Sequence, residues 1–496
     1  KRKLVYLELL MKVLFRSIIF IVPLLVLVVL FRAMLHNPSE ELLPNKVDIF
    51  LDEEALSVHL SESIQFPTIS NQDASKRNNE AFKDFQNWIA RTYGAFHANL
   101  SLKKFNETLL YEWKGTDANL KPILVTGHYD VVPVIPGTEN LWKQPPFSGR
   151  IDSGYIWGRG ALDDKSGVVG ILEAASYLIN SGYEPRRTIY FSFGHDEEVG
   201  GINGAALVAQ YLKEEGIQLT WSLDEGSFLL DGFLPGLDKP VASINVAEKG
   251  SVTLQVVGKA AGGHSSMPPK QTAVGFLAQA ITQLENNRMP GDLEGLSLKM
   301  FDEASRHMTF LYKIAFANRW LFGSLIDSYL SEVPFGNAVL RTTTAPTMLS
   351  GSIKTNVLPI EAIAIVNFRL HPRDSVEDVI NHVKRVVENE NVEVRSMAWK
   401  GRPASIVSSW QSEGYSVISQ SVKEIYGDVV VAPGLMIAGS DSRHYGKVAD
   451  DAYRFNPFPL SSKEFGGFHG TNERIRVEDF RKGVEAYILI IKNGSS

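Results

Sequence analysis

Five residues of metal-ligand type, His128, Asp163, Glu198, Asp224 and His469, stand out in this chain, and the first four each follow an apolar, strand-like segment. Imidazoles and carboxylates in that arrangement suit a two-metal hydrolase site. In Ile123-Leu124-Val125-Thr126-Gly127-His128-Tyr129-Asp130 a strand ends at a glycine and presents a histidine, with a carboxylate two residues on that can accept from its ring. Asp163 and Asp164 lie where a loop opens into the helix-like run Val168 to Ile179, so a bridging carboxylate would sit near helix N–H groups. The strand Thr188 to Phe193 leads to Gly194-His195-Asp196-Glu197-Glu198, where one glutamate can bind metal and its neighbour can move protons. Leu223-Asp224-Glu225-Gly226 follows the apolar patch Leu219 to Leu223. Strand ends are where open α/β sheets place their ligands.

Taken singly, each residue has a plainer reading. His128 could be a satisfied loop histidine, Asp163 a helix N-cap, Glu197-Glu198 solvated surface, and Asp224-Glu225-Gly226 a turn. The order His, Asp, Glu-Glu, Asp, each after a strand, outweighs those separate readings.

The motifs GHYDVVP, WGRGALDDKSG, GHDEEVGG, LDEG, GGHSSMPP, GSDSRHY and FHGTNE resemble those of the dinuclear zinc exopeptidases and deacylases. That family includes aminoacylase, acetylornithine deacetylase, glutamate carboxypeptidase and yeast carboxypeptidase S. The nearest resemblance is to the carboxypeptidase S and N-fatty-acyl-amino-acid synthase/hydrolase branch, over roughly residues 50–490. The resemblance implies two Zn2+ ions, with Co2+ or Mn2+ as substitutes: His128 and Asp224 on one, Glu198 and His469 on the other, and Asp163 bridging both. It implies that Glu197 is the general base on water and that Asp130 orients His128. His195 and His444 are expected to be structural, since the five ligand places are filled.

Composition agrees with a large enzyme. The chain has 496 residues, 44% of them hydrophobic, enough for more than one domain. A net charge of -6, with no basic run beyond the N-terminus, argues against nucleic acid as a partner. There are no cysteines, so thiolate ligands and disulfides are excluded. Near the N-terminus, Lys1, Arg2, Lys3, Lys12 and Arg16 precede an uncharged apolar run from Ser17 to Phe31, which Ala33-Met34-Leu35 can extend past a snorkelling Arg32. No clean small-x-small cleavage site follows, which favours a single-pass anchor with the catalytic part outside the cytoplasm over a cleaved secretion signal.

The expected fold is α/β: a zinc-exopeptidase-like catalytic domain with an inserted ferredoxin-like (α+β) lid, preceded by a transmembrane helix. The expected divisions are 1–40 for stub and anchor, 41–247 for the first catalytic part, 248–400 for the lid with an apolar helical insertion at 290–345, and 401–496 for the second catalytic part. Pro38 to Asn45 reads as a linker, and Glu54 to Ile64 and Asn79 to Tyr93 as amphipathic helices. From Ser251 the pattern is strand (251–257), helix (272–285), strands (349–354 and 362–370), helix (376–387) and strand (392–399), the βαββαβ order of a ferredoxin-like unit. In the resembled family this unit is often a homodimer surface. By resemblance, His264 stabilises the oxyanion, while Asn356, Arg369 and Ser440 bind the substrate carboxylate. The apolar pieces Met308 to Phe316 and Trp320 to Ile326 read as core or interface, or as the lining of an acyl-chain channel.

The expected activity is zinc-dependent hydrolysis, or reversible formation, of the amide in N-acyl or N-fatty-acyl amino acids. A metallo-carboxypeptidase or dipeptidase would use the same metals. A silent membrane-tethered binding protein is the rival of another class, and the presence of Glu197 with all five ligand types argues against it.

Overall fold

Apolar residues at helical spacing, polar caps and fully buried strands account for the elements that frame the site. The structure is a computed structural model and describes residues 2–38, 44–397 and 401–496. Most of the expected linker Pro38 to Asn45, and Ala398 and Trp399 of the last expected strand, lie outside those residues. In chain order the principal elements begin with helices α1 (Arg2–Leu35), α2 (Glu53–Ile64) and α3 (Asn79–Thr92) and strands β1 (Ser101–Phe105), β2 (Thr108–Trp113) and β3 (Ile123–His128). Next come α4 (Lys165–Asn180), β4 (Ile189–Gly194), α5 (Ala205–Glu214), β5 (Leu219–Asp231), β6 (Val241–Glu248) and β7 (Gly250–Lys259). They are followed by α6 (Ala273–Asn286), α7 (Gly295–Ser305), α8 (Phe310–Ala317), α9 (Arg319–Glu332), α10 (Pro334–Leu340), β8 (Thr343–Ser350), β9 (Glu361–Leu370), α11 (Val376–Val386) and β10 (Val392–Ser396). The chain closes with α12 (Glu413–Tyr426), β11 (Val430–Met436), β12 (Ala449–Ser461) and α13 (Val477–Gly494).

Eight strands form one mixed sheet in the order β1-β2-β4-β3-β5-β12-β6-β11. Its centre is parallel, β3 lying between β4 and β5. Strands β3 and β4 are buried along their whole length, as parallel strands covered on both faces must be. Helix α3 brings Phe82, Phe85, Trp88 and Ile89 to one stripe, and Phe85 stacks on Tyr129 at 4.7 Å, directly beside His128. Lys165, at the start of α4, is fully buried and donates to the carbonyls of Ser63 and Phe66, tying the end of α2 to the loop that carries Asp163.

A second, four-stranded antiparallel sheet has the order β8-β9-β7-β10. Its chain order is strand, helix, strand, strand, helix, strand, and its core holds Val252, Leu254, Val256, Leu277, Ala364, Val366, Phe368, Val379 and Val383. One boundary differs from the sequence reading. The strand read at 349–354 is Thr343–Ser350, because its pairing with β9 begins at Thr343↔Arg369 and ends at Ser350↔Ile363. Inserted within this second unit, between α6 and β8, helices α7 to α10 pack Met300, Phe301, Phe316, Ile326, Leu330 and Val339 against Val241, Val430 and Ala432. The buried part of the apolar insertion is therefore core, covering the β11 edge of the large sheet.

Candidate active site

His128 is the last residue of β3, and its ring is 2% exposed. Its Nδ1 lies 3.0 Å from the Asp130 carbonyl oxygen, and its Nε2 lies 3.1 Å from Asp163 Oδ1. The other oxygen of Asp163 lies 2.6 Å from His469 Nε2. One carboxylate thus reaches two histidines that are 341 positions apart in the chain, the difference between 469 and 128. Burial opposes the charge on Asp163, but hydrogen bonds from His128 and His469 hold its carboxyl below the usual range.

Two groups of ligating atoms meet on Asp163. One is His128, Asp163 and Glu225; the other is Asp163, Glu198 and His469, the atoms of each group lying within 4.8 Å of one another. Asp224, the carboxylate expected beside His128, is in neither group. It is buried, accepts the Glu225 N–H at 2.9 Å and is pushed up to about 6 by burial. Sequence reading placed this pair at a strand end, whereas both residues lie inside the long strand β5. The β5–β12 register slips between Arg454↔Asp224 and Phe455↔Ser227, which leaves Glu225 and Gly226 in a bulge. A Cβ on Gly226 would lie 2.5 Å from Arg454 Cβ, so only glycine lets the strands approach there. The signal for Glu225 was present, since it is the second acid of LDEG, but nothing local distinguishes it from its neighbour.

Glu197 and Glu198 form a short 3-10 turn after β4. Both backbone N–H groups donate to the carboxylate of Asp130, at 3.2 Å each, and Ser70 Oγ donates to it at 2.6 Å. Asp130 therefore supports His128 from one side and sets the glutamate turn from the other. Burial pushes Glu197 up to about 7, with repulsion from Asp130 and Asp163 adding to it and the charges of His128 and Arg443 opposing it. Glu198 and Glu225 are raised by burial and then by Asp163. Glu198 Oε1 and Asp224 Oδ2 are buried without a hydrogen-bond partner among the described residues. A buried set of carboxylates with unpartnered oxygens and only two imidazoles fits divalent cations, which neutralise what the protein leaves unpaired.

His469 is half exposed, stacks on Phe468 at 4.9 Å and has a left-handed backbone, φ 54°, rare for a residue with a Cβ. It is held by a buried ion pair that sequence reading missed. Arg159 Nη1 donates to Glu473 at 2.6 Å, while Nη2 donates to the carbonyls of His469 (3.3 Å) and Gly470 (3.0 Å). Glu473 in turn accepts from the N–H groups of Gly160, Leu162 and Asp163. The pair clamps the His469 loop to the Asp163 loop. Glu473→Ala leaves Arg159 buried and unpaired, and it is expected to cost about 3–5 kcal/mol of stability. Glu473→Gln, read by chelator competition, is expected to lower metal affinity about 10–100-fold. Unchanged metal affinity in both variants would remove the clamp from the site.

The remaining expected residues sit around this centre. Ser440 is buried, its N–H and Oγ donating to Glu248 at 3.3 and 3.4 Å. His264 is exposed and faces the half-buried Asn356 at 3.4 Å, and Arg369 is exposed at the end of β9. No hydrogen bond or ion pair among the described residues joins those three to the carboxylate cluster. Two arginines outside the sequence reading approach it instead: Arg443 lies 3.6 Å from Glu197 and Arg402 3.8 Å from Glu248. His195 bonds Thr108, and His444 bonds the Gly200 carbonyl, so both serve the scaffold.

The description of peptidase family M20/M25/M40 matches residues 124–493, a span that holds every ligand-type residue named above. The chain belongs to that family. It is a metal-dependent hydrolase of the M20 type, in the branch to which the motifs point. It is 39% identical over 492 residues to the probable carboxypeptidase S-like 2 of Dictyostelium discoideum, covering 98% of this chain and 94% of that one. To the N-fatty-acyl-amino acid synthase/hydrolase PM20D1 of Xenopus tropicalis it is 38% identical, covering 88% and 85%. Among solved M20-type folds, it is similar to a metallo-carboxypeptidase of Sulfolobus solfataricus, with a TM-score of 0.63 at 20% identity, covering 89% of this chain and 99% of that one. Human carnosine dipeptidase 1 shares the fold with a TM-score of 0.62 at 16% identity, covering 94% and 98%.

Proposed function

We propose that this M20 enzyme hydrolyses, and in reverse forms, the amide bond of N-fatty-acyl amino acids. The observation that carries the reading is Asp163, whose two carboxylate oxygens meet His128 and His469, with Glu225 on one side and Glu198 on the other. His128, Asp163 and Glu225 would hold one Zn2+, and Asp163, Glu198 and His469 would hold a second. When bound, the metal supplies a Lewis acid that polarises the scissile carbonyl and acidifies water. Glu197 takes a proton from the attacking water and returns it to the leaving amine as the C–N bond breaks. Asp130 keeps His128 and the Glu197 turn in register. His264 and Asn356, on the inserted unit, form a lid that donates to the oxyanion and the substrate carboxylate when it closes. Arg369, Ser440, Arg443 and Arg402 supply the charge and hydrogen bonds of the carboxylate pocket.

The domain divisions given above accompany this reading, with 248–400 as lid and homodimer surface. Helix α1 is long and apolar enough, by length and composition, to cross a membrane at Phe15–Leu35. We take it as a single span with the catalytic part outside the cytoplasm.

The test is a substrate panel on the zinc-loaded full chain in detergent. The expected result is a kcat/KM at least roughly tenfold higher for N-oleoyl- than for N-acetyl-amino acids, since burying even two methylenes contributes about 1.6 kcal/mol. A preference for dipeptides would make the enzyme a carboxypeptidase or dipeptidase, the activity named for other relatives.

A further inference from the structure

The insertion that covers the β11 edge is only half used by the core. Phe316, Ile326 and Leu330 face inward, whereas Leu311 is 75% exposed, Leu325 66%, Trp320 58% and Tyr329 55%. Single exposed apolar side chains need no explanation, but a cluster on two consecutive helices does. What the cluster adjoins is decided by α1.

Helices α1 and α8 run side by side in opposite directions. At one end, Arg306 donates to the Asn37 carbonyl at 3.2 Å and Lys313 Nζ donates to Asn37 Oδ1 at 2.9 Å. His36 Nε2 lies 2.8 Å from Ser305 Oγ. Further along, Arg32 Nε donates to the Ala317 carbonyl at 3.1 Å, and the buried amide of Asn318 donates to the Val29 carbonyl at 3.0 Å. The α8–α9 corner is therefore fixed beside Val29 to Arg32, inside the apolar stretch that ends at Leu35. Val29 lies six residues before Leu35, so at a rise of about 1.5 Å per residue the corner sits some 9 Å inside the end of that stretch.

We infer that the exposed faces of α8 and α9 are seated in the lipid bilayer beside α1, so that the catalytic body is docked on the membrane rather than hung from it on a tether. The inference rests on the reading of α1 as a span. Chemistry at the corner suits that depth. Along α9 the exposed side chains, Trp320, Leu325 and Tyr329, are the aromatic and aliphatic types that membranes accept. The backbone there is helical and satisfies itself, and Asn318, the polar residue at the turn, bonds both Val29 and Ile314. Arg319 is neutralised by Asp302, and Arg32 reaches the Ala317 carbonyl. An apolar face at this depth, on an element bonded to a membrane span, meets acyl chains.

The absence of cysteine makes a direct test clean. Single variants Leu325→Cys, Phe31→Cys and Ser101→Cys of the full chain are labelled with an environment-sensitive fluorophore in phosphatidylcholine nanodiscs containing doxyl-labelled lipid. Phe31 reports the span. Ser101 lies on β1, the edge of the large sheet opposite to the one the insertion covers, seven strand spacings or about 33 Å away. The expected result is a loss of fluorescence at Leu325 close to that at Phe31, with none at Ser101. Quenching at Phe31 but not at Leu325 overturns the docking and leaves the span standing. Quenching at Leu325 alone removes the span and with it the docking beside α1, overturning the proposal, and quenching at neither position removes both. A blue-shifted but unquenched Leu325 probe, with a sedimenting mass of two chains, assigns the face to a second copy and overturns the proposal.

Discussion

Glu197→Gln is expected to lower kcat by about 10²–10⁴-fold while leaving metal content and melting temperature unchanged. The amide keeps the shape of the side chain and the backbone N–H that Asp130 accepts, but it cannot take a proton from water. Glu197 stands in neither of the two ligand groups, so its loss should not release metal. Burial raises its pKa to about 7 without metal, and a cation nearby pulls it back toward the ionised base the chemistry requires. A variant with full turnover removes Glu197 from the proton transfer. A variant that loses metal makes it a ligand, and the role of base would pass to another group.

The second large effect separates the two acids of LDEG. Asp163→Ala should abolish metal binding altogether, because both ligand groups share that carboxylate. Glu225→Ala should retain one of two ions, with affinity for the other weakened by more than about 100-fold, while Asp224→Asn, which changes no member of either group but removes a buried charge beside them, should retain both with affinity lowered about 10–100-fold. Metal content after dialysis, read by mass spectrometry, checks all three. If Asp224→Asn loses an ion and Glu225→Ala does not, the ligand is the one expected from sequence. Asp224 still has a part, since its Oδ1 accepts the Glu225 N–H and holds that backbone in place.

Much of the site was legible because its chemistry is written locally. His128 ends an apolar strand, and Asp163 and Glu198 follow one within a few positions, so metal-type residues near strand ends are visible within a dozen positions. The helices 53–64 and 79–92 were also readable, their apolar faces repeating at helical spacing behind Asp52 and Asn78 caps. What stayed hidden depends on register or on distance along the chain. Asp224 and Glu225 are both buried, so LDEG alone could not say how the two acids divide the work; the bulge at Glu225 and Gly226 brings Glu225 to His128 and Asp163. Arg159 and Glu473 are 314 positions apart, and neither has a local reason to be a clamp. Arg443 and Arg402 likewise approach Glu197 and Glu248 across 246 and 154 positions of chain, a distance no local pattern reports.

By itself, the sequence determined the inventory: a metal-dependent hydrolase with acids and imidazoles at strand ends, an apolar N-terminal run, and an inserted βαββαβ pattern. Tertiary structure alone decided which carboxylate oxygens converge, which ion pair holds His469 against Asp163, and which side of the apolar insertion is core and which is bare. The reason is physical. Residue type and periodicity are properties of a few consecutive positions, whereas convergence depends on strand register and on contacts that close across hundreds of residues.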